Sequence, residues 1–501
     1  MVDEHFDGSL TEKQAHRSVW RNSAGGRPCT FIFCSIPAPT DDWVNVVRAT
    51  ILDLPGDCLL QIFDLYIYEE SEMWHTLAHV CYRWRSIVFG SPSRLDLRLY
   101  CTARTPVRKM LGVWPAFPIV LRVYSDTMWG ERNIVAALEH NHRIWELDLF
   151  DIPSSQLEKV LSAMQLSFPA LTHLRLGCED DTAPVVPASF LGGFASNLQT
   201  LFLDYISFPG LPKLLLSAAH LVDLDLWRIP LAGYISPEAM VACLSVLTKL
   251  ERLDIGFESP QSRPNQISRL PPPQTLTLLP ALAKLRFIGV DEYLEDLVAQ
   301  IDTPLLHNLA ITFFNQVIFE TSQLSQFISR TPKLMTHEEA RVVFSARDVS
   351  ITFPRTFDGR LELVISCRES DWQLFSLVEV CSSSFPQTLA VEQLYILEDG
   401  FPRLHWGDDI ENNRWLHLLR LFTGVKDLYV SQEFIPRIMP AVQELVGERV
   451  VDVLPALQSL FLEEPPLSGH VPKTIGQFVA ARQLARFPIA VYLWERKEIE
   501  D

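Results

Sequence analysis

Basic residues are scarce in this sequence. Lysine and arginine together number 43 against 61 aspartates and glutamates, which gives a formal net charge of −18. Duplex nucleic acid is bound through Lys and Arg side chains that neutralise phosphates. Anionic membrane surfaces attract the same cationic side chains. The charge balance therefore excludes nucleic acid and anionic membranes as expected partners, and it leaves proteins and small molecules.

Long apolar runs and paired cysteines are also lacking. No uninterrupted stretch of about 18 apolar residues occurs, so we expect no transmembrane helix. The opening residues are polar and acidic, which is unlike a secretory signal. The nine cysteines are scattered, without any Cys-x-x-Cys pair. Scattered cysteines are typical of reduced thiols, and we expect the protein in the cytoplasm or the nucleus.

Motifs of the common enzyme classes are missing as well. The sequence holds no phosphate-binding glycine loop, no Gly-x-Ser-x-Gly elbow and no His-Glu-x-x-His helix. His75 and His79 have the spacing of metal ligands on one helix face, and Asp223 and Asp225 share one face of a predicted strand. Structural or solvated roles are commoner for both pairs, so we predict no catalytic residues, no metal and no cofactor.

What the sequence does contain is one recurring pattern, apolar-x-x-Leu-x-apolar. Seven copies between residues 144 and 306 begin 23 to 32 residues apart, and three more follow after a gap. The copies begin at Ile144, Leu171, Leu198, Leu221, Leu250, Leu282, Leu306, Val391, Val425 and Leu457. This is the signature of leucine-rich repeats, in which a short strand is followed by a return segment.

The repeats are irregular, because their spacing varies and the Asn or Cys expected after each strand is mostly absent. We predict an α/β fold in which residues 96–470 form a degenerate leucine-rich-repeat solenoid. Between residues 320 and 385 the array should continue in distorted form, with strands at 342–344, 349–353 and 361–365 and a helix at 371–381. A helix at 474–487 and a strand at 489–494 should form a C-terminal cap over residues 471–501.

Side chains alternate along a strand, so the residue between the last two apolar positions of each repeat should point to the concave face. This row comprises Asp148, Arg175, Phe202, Asp225, Asp254, Arg286, Ala310, Tyr395, Tyr429 and Phe461. Exposed aromatic and arginine side chains on a rigid surface are common binding anchors. The candidate binding residues for a target protein are therefore Arg175, Phe202, Arg286, Tyr395, Tyr429 and Phe461. The alternative is that this face is merely solvated, or covered by the C-terminal helix.

The N-terminal part has a different character. Residues 1–48 lack periodicity, and we expect a disordered leader. Residues 49–95 contain two apolar sets at helical spacing, one following Pro55 and one running from Trp74 to Trp84. We predict a pair of amphipathic helices, a unit too small to fold well alone.

The residues Leu54-Pro55-x-x-x-Leu59-Leu60-x-Ile62-Phe63, followed by Val80-Cys81-x-x-Trp84, resemble the F-box motif. The match covers roughly 40 of 501 residues. Together with the repeats, the chain is similar to the F-box proteins that fungi have in large numbers. The sequence departs from the usual motif in two ways: the stretch from Phe63 to Val80 is a few residues longer, and Cys58 stands where Leu is common.

The resemblance implies a role as the substrate-recognition subunit of a Skp–cullin–F-box ubiquitin ligase. The F-box would bind the Skp adaptor and through it cullin, while the repeats hold an unknown substrate protein. The adaptor-binding candidates are Leu54, Pro55, Leu59, Ile62, Phe63 and Trp84. The alternative for Leu59, Ile62 and Trp84 is that they simply hold the two helices to the first repeat. Two alternatives for the whole chain stay open at this point: a repeat scaffold without ligase association, and an enzyme with an undetected pocket.

Overall fold

A computed structural model gives the structure of most of the chain. It describes residues 51–69, 73–101, 107–123, 131–180, 182–262, 275–316, 319–335, 337–354, 359–367, 370–385, 390–399, 412–443, 452–463 and 473–495. The leader predicted for residues 1–48 lies outside the described residues. The chain divides into two compact units, Met1–Ile62 and Phe63–Asp501.

Three helices occupy the segment in which a helix pair was predicted: α1 (Gly56–Glu69), α2 (Trp74–Val80) and α3 (Tyr82–Gly90). The helix α1 begins directly after Pro55, whose carbonyl accepts the Leu59 N–H at 3.1 Å. The predicted second helix was wrong, because it breaks at Cys81. That residue is extended (φ −158°, ψ 170°), and its thiol caps α3 by accepting the Trp84 N–H at 3.4 Å.

Aromatic side chains tie the helical residues of the second unit to the chain that follows. The rings of Phe63 and Trp84 lie 4.7 Å apart. Trp74 packs edge-on against Trp114 at 5.1 Å and Phe117 at 5.5 Å, and its indole N–H donates to a backbone carbonyl, that of Arg98, at 2.6 Å. Burial of large aromatic rings dominates packing energetics, so α2 and α3 belong to the same core as the first repeats.

Sixteen of the described strands form one sheet, in the order β1-β2-β3-β4-β5-β6-β7-β9-β11-β14-β13-β12-β15-β16-β17-β18, and β8 and β10 form a second, two-stranded one. The strands are β1 (Leu99–Cys101), β2 (Ile119–Val123), β3 (Ile144–Ile152), β4 (His173–Cys178), β5 (Thr200–Asp204), β6 (Asp223–Ile229), β7 (Arg252–Phe257), β8 (Thr277–Leu278), β9 (Lys284–Gly289), β10 (Ile301–Asp302), β11 (Asn308–Phe313), β12 (Glu339–Phe344), β13 (Asp348–Pro354), β14 (Arg360–Ser366), β15 (Gln393–Glu398), β16 (Asp427–Val430), β17 (Ser459–Glu463) and β18 (Ala490–Trp494).

Helices follow most of these strands and supply the other half of the core. They are α4 (Val107–Val113), α5 (Glu131–Leu138), α6 (Ser154–Ala163), α7 (Leu211–Leu215), α8 (Pro237–Leu244), α9 (Asp291–Val298), α10 (Ser322–Arg330), α11 (Ser370–Ser384), α12 (Asn412–Arg420), α13 (Ile435–Gln443) and α14 (Lys473–Leu484). Neighbouring helices contact each other along the array. No helix in the described part of the chain is both long and apolar enough to cross a membrane.

The repeated leucines explain why the strands line up. Leu147, Leu174 and Leu201 lie opposite one another in successive parallel strands, and all three are fully buried. Each buried leucine contributes about 1.5–3 kcal/mol of hydrophobic stabilisation. A slip of one residue would turn all of them to the opposite face. The predicted repeat array is therefore confirmed as a continuous, mostly parallel sheet of strand–helix units.

The region 320–385, where the pattern fades, continues the sheet through a three-stranded meander. The predicted strands are confirmed as β12, β13 and β14, and the predicted helix as α11. Strand β13 runs antiparallel to both of its neighbours, whereas β14 is parallel to β11 and β12 is parallel to β15. Two reversals restore the original strand direction, so the insertion leaves the rest of the array parallel.

The predicted C-terminal helix and strand are confirmed as α14 and β18. Strand β18 pairs in parallel with β17 and so extends the sheet by one strand, and no described strand pairs with its other edge. Leu484 at the end of α14 is 86% exposed, and Leu493 in β18 is also exposed. The last element thus presents an apolar strand at the end of the array.

Buried polar side chains join successive repeats. Glu295 in α9 accepts hydrogen bonds from the backbone N–H groups of Gln323 (2.8 Å) and Leu324 (2.7 Å), in the first turn of α10. The first N–H groups of a helix have no partner within the helix, so the carboxylate caps α10 from the preceding repeat. At the other end of α10, Arg330 donates to the Val298 and Ile301 carbonyls.

Candidate binding face of the sheet

The ten residues predicted to form a row stand in register across neighbouring strands. The structure adds five further members and makes the row continuous from β2 to β18. We call it the central row: Arg122, Asp148, Arg175, Phe202, Asp225, Asp254, Arg286, Ala310, Glu362, Thr352, Arg341, Tyr395, Tyr429, Phe461 and Tyr492. Most of these side chains are partly exposed. Their alignment is confirmed, and their role in binding stays a prediction.

In the first half of the central row, arginines stack on aromatic rings. The Arg175 guanidinium lies between Phe150, at 4.3 Å from the ring centre, and Phe202, at 4.7 Å. It also lies 3.9 Å from a carboxylate oxygen of Asp148. Arg286 is held in the same way over Trp227, at 4.7 Å. These guanidinium groups are fixed by their neighbours, which reduces the entropy lost when they contact a partner.

Two aspartates face each other in the middle of the row. Asp225 and Asp254 are direct partners in β6 and β7. Burial and the neighbouring charge of Asp254 together raise the pKa of Asp225 to about 7, against the lowering effect of Arg286 and Arg252. Burial also raises the pKa of Asp254, against the lowering effect of Arg286. One oxygen of Asp225 is buried and accepts no hydrogen bond from the described residues, which adds to the cost of holding its charged form there.

Four aromatic rings stack at the C-terminal end of the row. The ring centres of Tyr395 and Tyr429 lie 4.2 Å apart, those of Tyr429 and Phe461 4.3 Å apart, and both pairs are tilted by only 9°. Phe461 and Tyr492 follow at 5.1 Å and 23°. We call these four residues the aromatic ladder. Trp494 stands edge-on to Tyr429, at 5.5 Å.

The hydroxyl groups of Tyr395 and Tyr429 are partly buried and have acidic neighbours. Burial raises the pKa of the Tyr395 and Tyr429 hydroxyls, and Glu339 adds to both shifts. Asp427 acts on Tyr429 in the same direction. Arg341 lies 5.6 Å from the centre of the Tyr395 ring and forms an ion pair with Glu339. The ladder is thus a neutral, partly exposed aromatic strip with carboxylates beside it.

The sequence pattern missed three residues of this region, namely Arg341, Tyr492 and Trp494. Their strands lack the leading apolar residue of the repeat, because His337 and Pro488 occupy that position. The shorter pattern apolar-x-apolar is present in both strands, at residues 340–342 and 491–493. A search with the shorter pattern would have found the two row residues, at the cost of many false matches in so apolar a chain.

The adaptor-binding candidates differ in exposure. Pro55 and Ile62 are exposed and Leu54 is partly exposed, whereas Leu59, Phe63 and Trp84 are buried. Sequence reasoning did not name, as adaptor-binding candidates, the exposed apolar side chains of the described residues between 63 and 90. These are Leu65, Tyr68, Met73, Val80 and Tyr82, of which Tyr68 (89%) and Tyr82 (84%) are the most exposed. Adaptor docking by any of these residues stays a prediction.

The residues considered for catalysis are engaged in packing and ion pairs. The rings of His79 and His75 lie 5.4 and 6.5 Å from Trp114. Asp223 lies 3.6 Å from Arg252, across neighbouring strands. In the part of the chain that the structure describes, no three His, Cys, Asp or Glu side chains are grouped as metal ligands would be.

Known proteins offer only distant structural likeness to this chain. No model of a known protein family matches the sequence, and no curated protein matches it. Among solved structures, the chain is similar to the leucine-rich repeat-containing protein LegL7 from Legionella pneumophila. The two are 14% identical over 70% of this chain and 94% of that chain, with a TM-score of 0.26. The repeating strand–helix units are shown by the chain's own strands and their register.

Proposed function

We propose that this chain is a recognition protein that binds a partner protein across the central row. The observation that carries this proposal is the aromatic ladder, four partly exposed rings stacked on strands of one sheet. Rings held in place by their neighbours lose little side-chain entropy on binding. Tyrosine and other aromatic side chains also dominate the energetic centres of protein interfaces.

The test is the loss of one specific partner from ladder variants. Tyr429→Ala and Phe461→Ala each remove one ring from the stack, and Leu216→Ala, an exposed apolar residue outside the sheet, is the matched control. Tagged chains are purified from cells, and the bound proteins are quantified by mass spectrometry. We expect a partner that is retained by the wild-type and control chains and reduced at least about tenfold in both ladder variants. An unchanged set of bound proteins contradicts the proposal.

We further propose that the bound partner is a ubiquitination substrate, and that the chain is the recognition subunit of a Skp–cullin–F-box ligase. The F-box-like residues from Leu54 to Trp84 support this role. The exposed apolar side chains Leu65 and Tyr68, three residues apart in α1, add support, because docking helices bind through apolar anchors at helical spacing. Val80 and Tyr82 are exposed on the next two helices. In this proposal the chain carries no chemistry of its own, and it works in the cytoplasm or the nucleus.

The ligase role is tested with purified Skp adaptor. The wild-type chain is compared with a Leu54→Ala/Pro55→Ala double variant and with a Tyr68→Ala/Val80→Ala double variant. Loss of docking anchors worth about 2–4 kcal/mol predicts a roughly 30- to 1,000-fold weaker complex. An unchanged melting temperature shows that each variant is folded. If the folded wild-type chain does not bind the adaptor, the ligase role is wrong and the alternative of a repeat scaffold without a ligase remains.

A further inference from the structure

Within the described residues, the aromatic ladder ends on the half-exposed ring of Tyr492. Tyr492 stacks on Phe461 with one face, at 5.1 Å, and its side chain is 50% exposed. It lies in β18, which pairs with β17 on one edge and with no described strand on the other. Backbone N–H and C=O groups on a free strand edge can accept an additional strand. Among the described residues, no second ring stacks on Tyr492 and no strand pairs with the outer edge of β18.

Elsewhere on this sheet, an arginine in the adjacent strand stacks on an aromatic residue of the central row. Arg175 is the register partner of Phe202 and lies 4.7 Å from its ring. Arg341 is the register partner of Tyr395 and lies 5.6 Å from its ring. Tyr492 is the last row aromatic, and no described residue is its register partner on the outer edge of β18. Guanidinium groups are favourable partners for aromatic faces.

The charges on this part of the face favour a cation. Asp427 lies two residues before Tyr429, and Glu463 lies two residues after Phe461, so both share the ladder's face of the sheet. Glu463 accepts the Gln432 N–H at 3.1 Å, which fixes its carboxylate. Asp427 is close enough to Tyr429 to raise the pKa of its hydroxyl. The chain as a whole carries a formal charge of −18, which adds long-range attraction for a basic segment.

The opposite face of β18 determines which residues should flank the arginine of an added strand. Leu493 alternates with Tyr492 and is exposed on the other side of the strand, and Leu484 and Phe487 before the strand are exposed as well. An added strand would place the neighbours of its arginine on that apolar side, because side chains alternate along a strand. Apolar residues at those two positions would remove apolar surface from water.

We propose that β18 accepts an extended segment of the partner protein in which an arginine flanked by apolar residues stands opposite Tyr492. The segment adds a strand to the sheet, its guanidinium stacks on the open face of Tyr492, and its flanking residues cover Leu493. This inference rests on the proposed function, since it specifies the chemistry of the segment that the aromatic ladder recognises. Main-chain pairing contributes affinity in such complexes, and the alternating side chains contribute specificity.

The test uses a defined probe, a fluorescein-labelled peptide of sequence Ser-Thr-Leu-Arg-Leu-Thr-Ser, and its lysine counterpart. Binding to the full chain is measured by fluorescence anisotropy at physiological salt. We expect the arginine peptide to bind at least about fivefold more tightly than the lysine peptide. Tyr492→Ala should weaken the arginine peptide about tenfold, whereas Tyr492→Phe, which keeps the ring, should bind it nearly as well as wild type. Trp372→Ala, an exposed aromatic on α11, is the matched control and should have no effect.

Two results would overturn the inference. One is equal affinity for the arginine and lysine peptides together with no effect of Tyr492→Ala, which indicates attraction by net charge alone. The other is no binding of the arginine peptide while Tyr429→Ala still loses its protein partner from cells. In that second case the ladder binds a partner of different chemistry, so the proposed function stands and only this inference fails.

Discussion

At the scale of single residues, the raised pKa of Asp225 predicts that the stability of the protein depends on pH. Its folded-state pKa is raised to about 7, whereas the pKa of an aspartate in an unfolded chain is about 3.9. Between these values the folded chain holds a proton that the unfolded chain has released. The free energy of unfolding should therefore fall as the pH rises from about 4 to about 7, and this contribution should be constant above that range.

Asp225→Asn should remove this dependence. Because the side chain is partly exposed, solvent screening reduces the effect, and we expect a gain of about 1–2 kcal/mol at pH 8 and little change at pH 4.5. Urea unfolding at the two pH values measures the difference. Asp223→Asn is the control, since that residue is paired with Arg252 and should give no gain at pH 8. A variant that is no more stable than wild type at pH 8 would contradict the assignment.

At the scale of the elements, α10 depends on a cap that comes from the preceding repeat. Glu295→Ala would leave the buried N–H of Leu324 and the partly buried N–H of Gln323 without their acceptor. The expected loss of unfolding free energy is about 2–4 kcal/mol. Glu158→Ala, an exposed position of α6, should change stability by less than about 0.5 kcal/mol. Hydrogen exchange at Gln323 and Leu324 should accelerate in Glu295→Ala, and unchanged exchange there would exclude the capping role.

The repeat strands could be predicted from the sequence because their signal is local. Two leucines separated by one residue identify both the strand and its buried face. Because side chains alternate along a strand, the residue between the two leucines could be assigned to the central row. The break between α2 and α3 could not be predicted in this way, because apolar spacing continues through Cys81. What favours the break is tertiary: Trp84 packs on Phe63, and the Arg85 guanidinium bonds to the Ala78 carbonyl at 2.9 Å.

The positions of the site residues could be predicted from the sequence, but the stacking of their rings and the raised pKa of Asp225 could not. Alternation identified Tyr395, Tyr429 and Phe461 as row members, yet nothing local shows that residues more than thirty positions apart stack at 4.2 to 4.3 Å. That stacking arises from strand register, which the three-stranded meander of residues 339–366 preserves. The pKa of Asp225 likewise depends on Asp254 in the next strand, so it follows only from the assembled sheet.

At the scale of the whole molecule, the two proposed binding functions should be separable. They use different side chains, in the F-box-like segment and in the last strands of the sheet, and side chains that share no partner usually contribute independently. Tyr429→Ala should therefore leave the affinity for purified Skp adaptor within about twofold of wild type while it releases the partner protein. Leu54→Ala/Pro55→Ala should weaken binding of the adaptor and leave the partner protein bound.

Reconstituted ubiquitin transfer combines the two measurements. With adaptor, cullin and the captured partner present, each variant alone should abolish modification of the partner, because recruitment requires both contacts in the same complex. An equimolar mixture of the two variants should also fail, since neither molecule bridges adaptor and partner. If the mixture restores modification, the chain does not act as a single bridging subunit, and one of the two functions belongs to a different protein in the assembly.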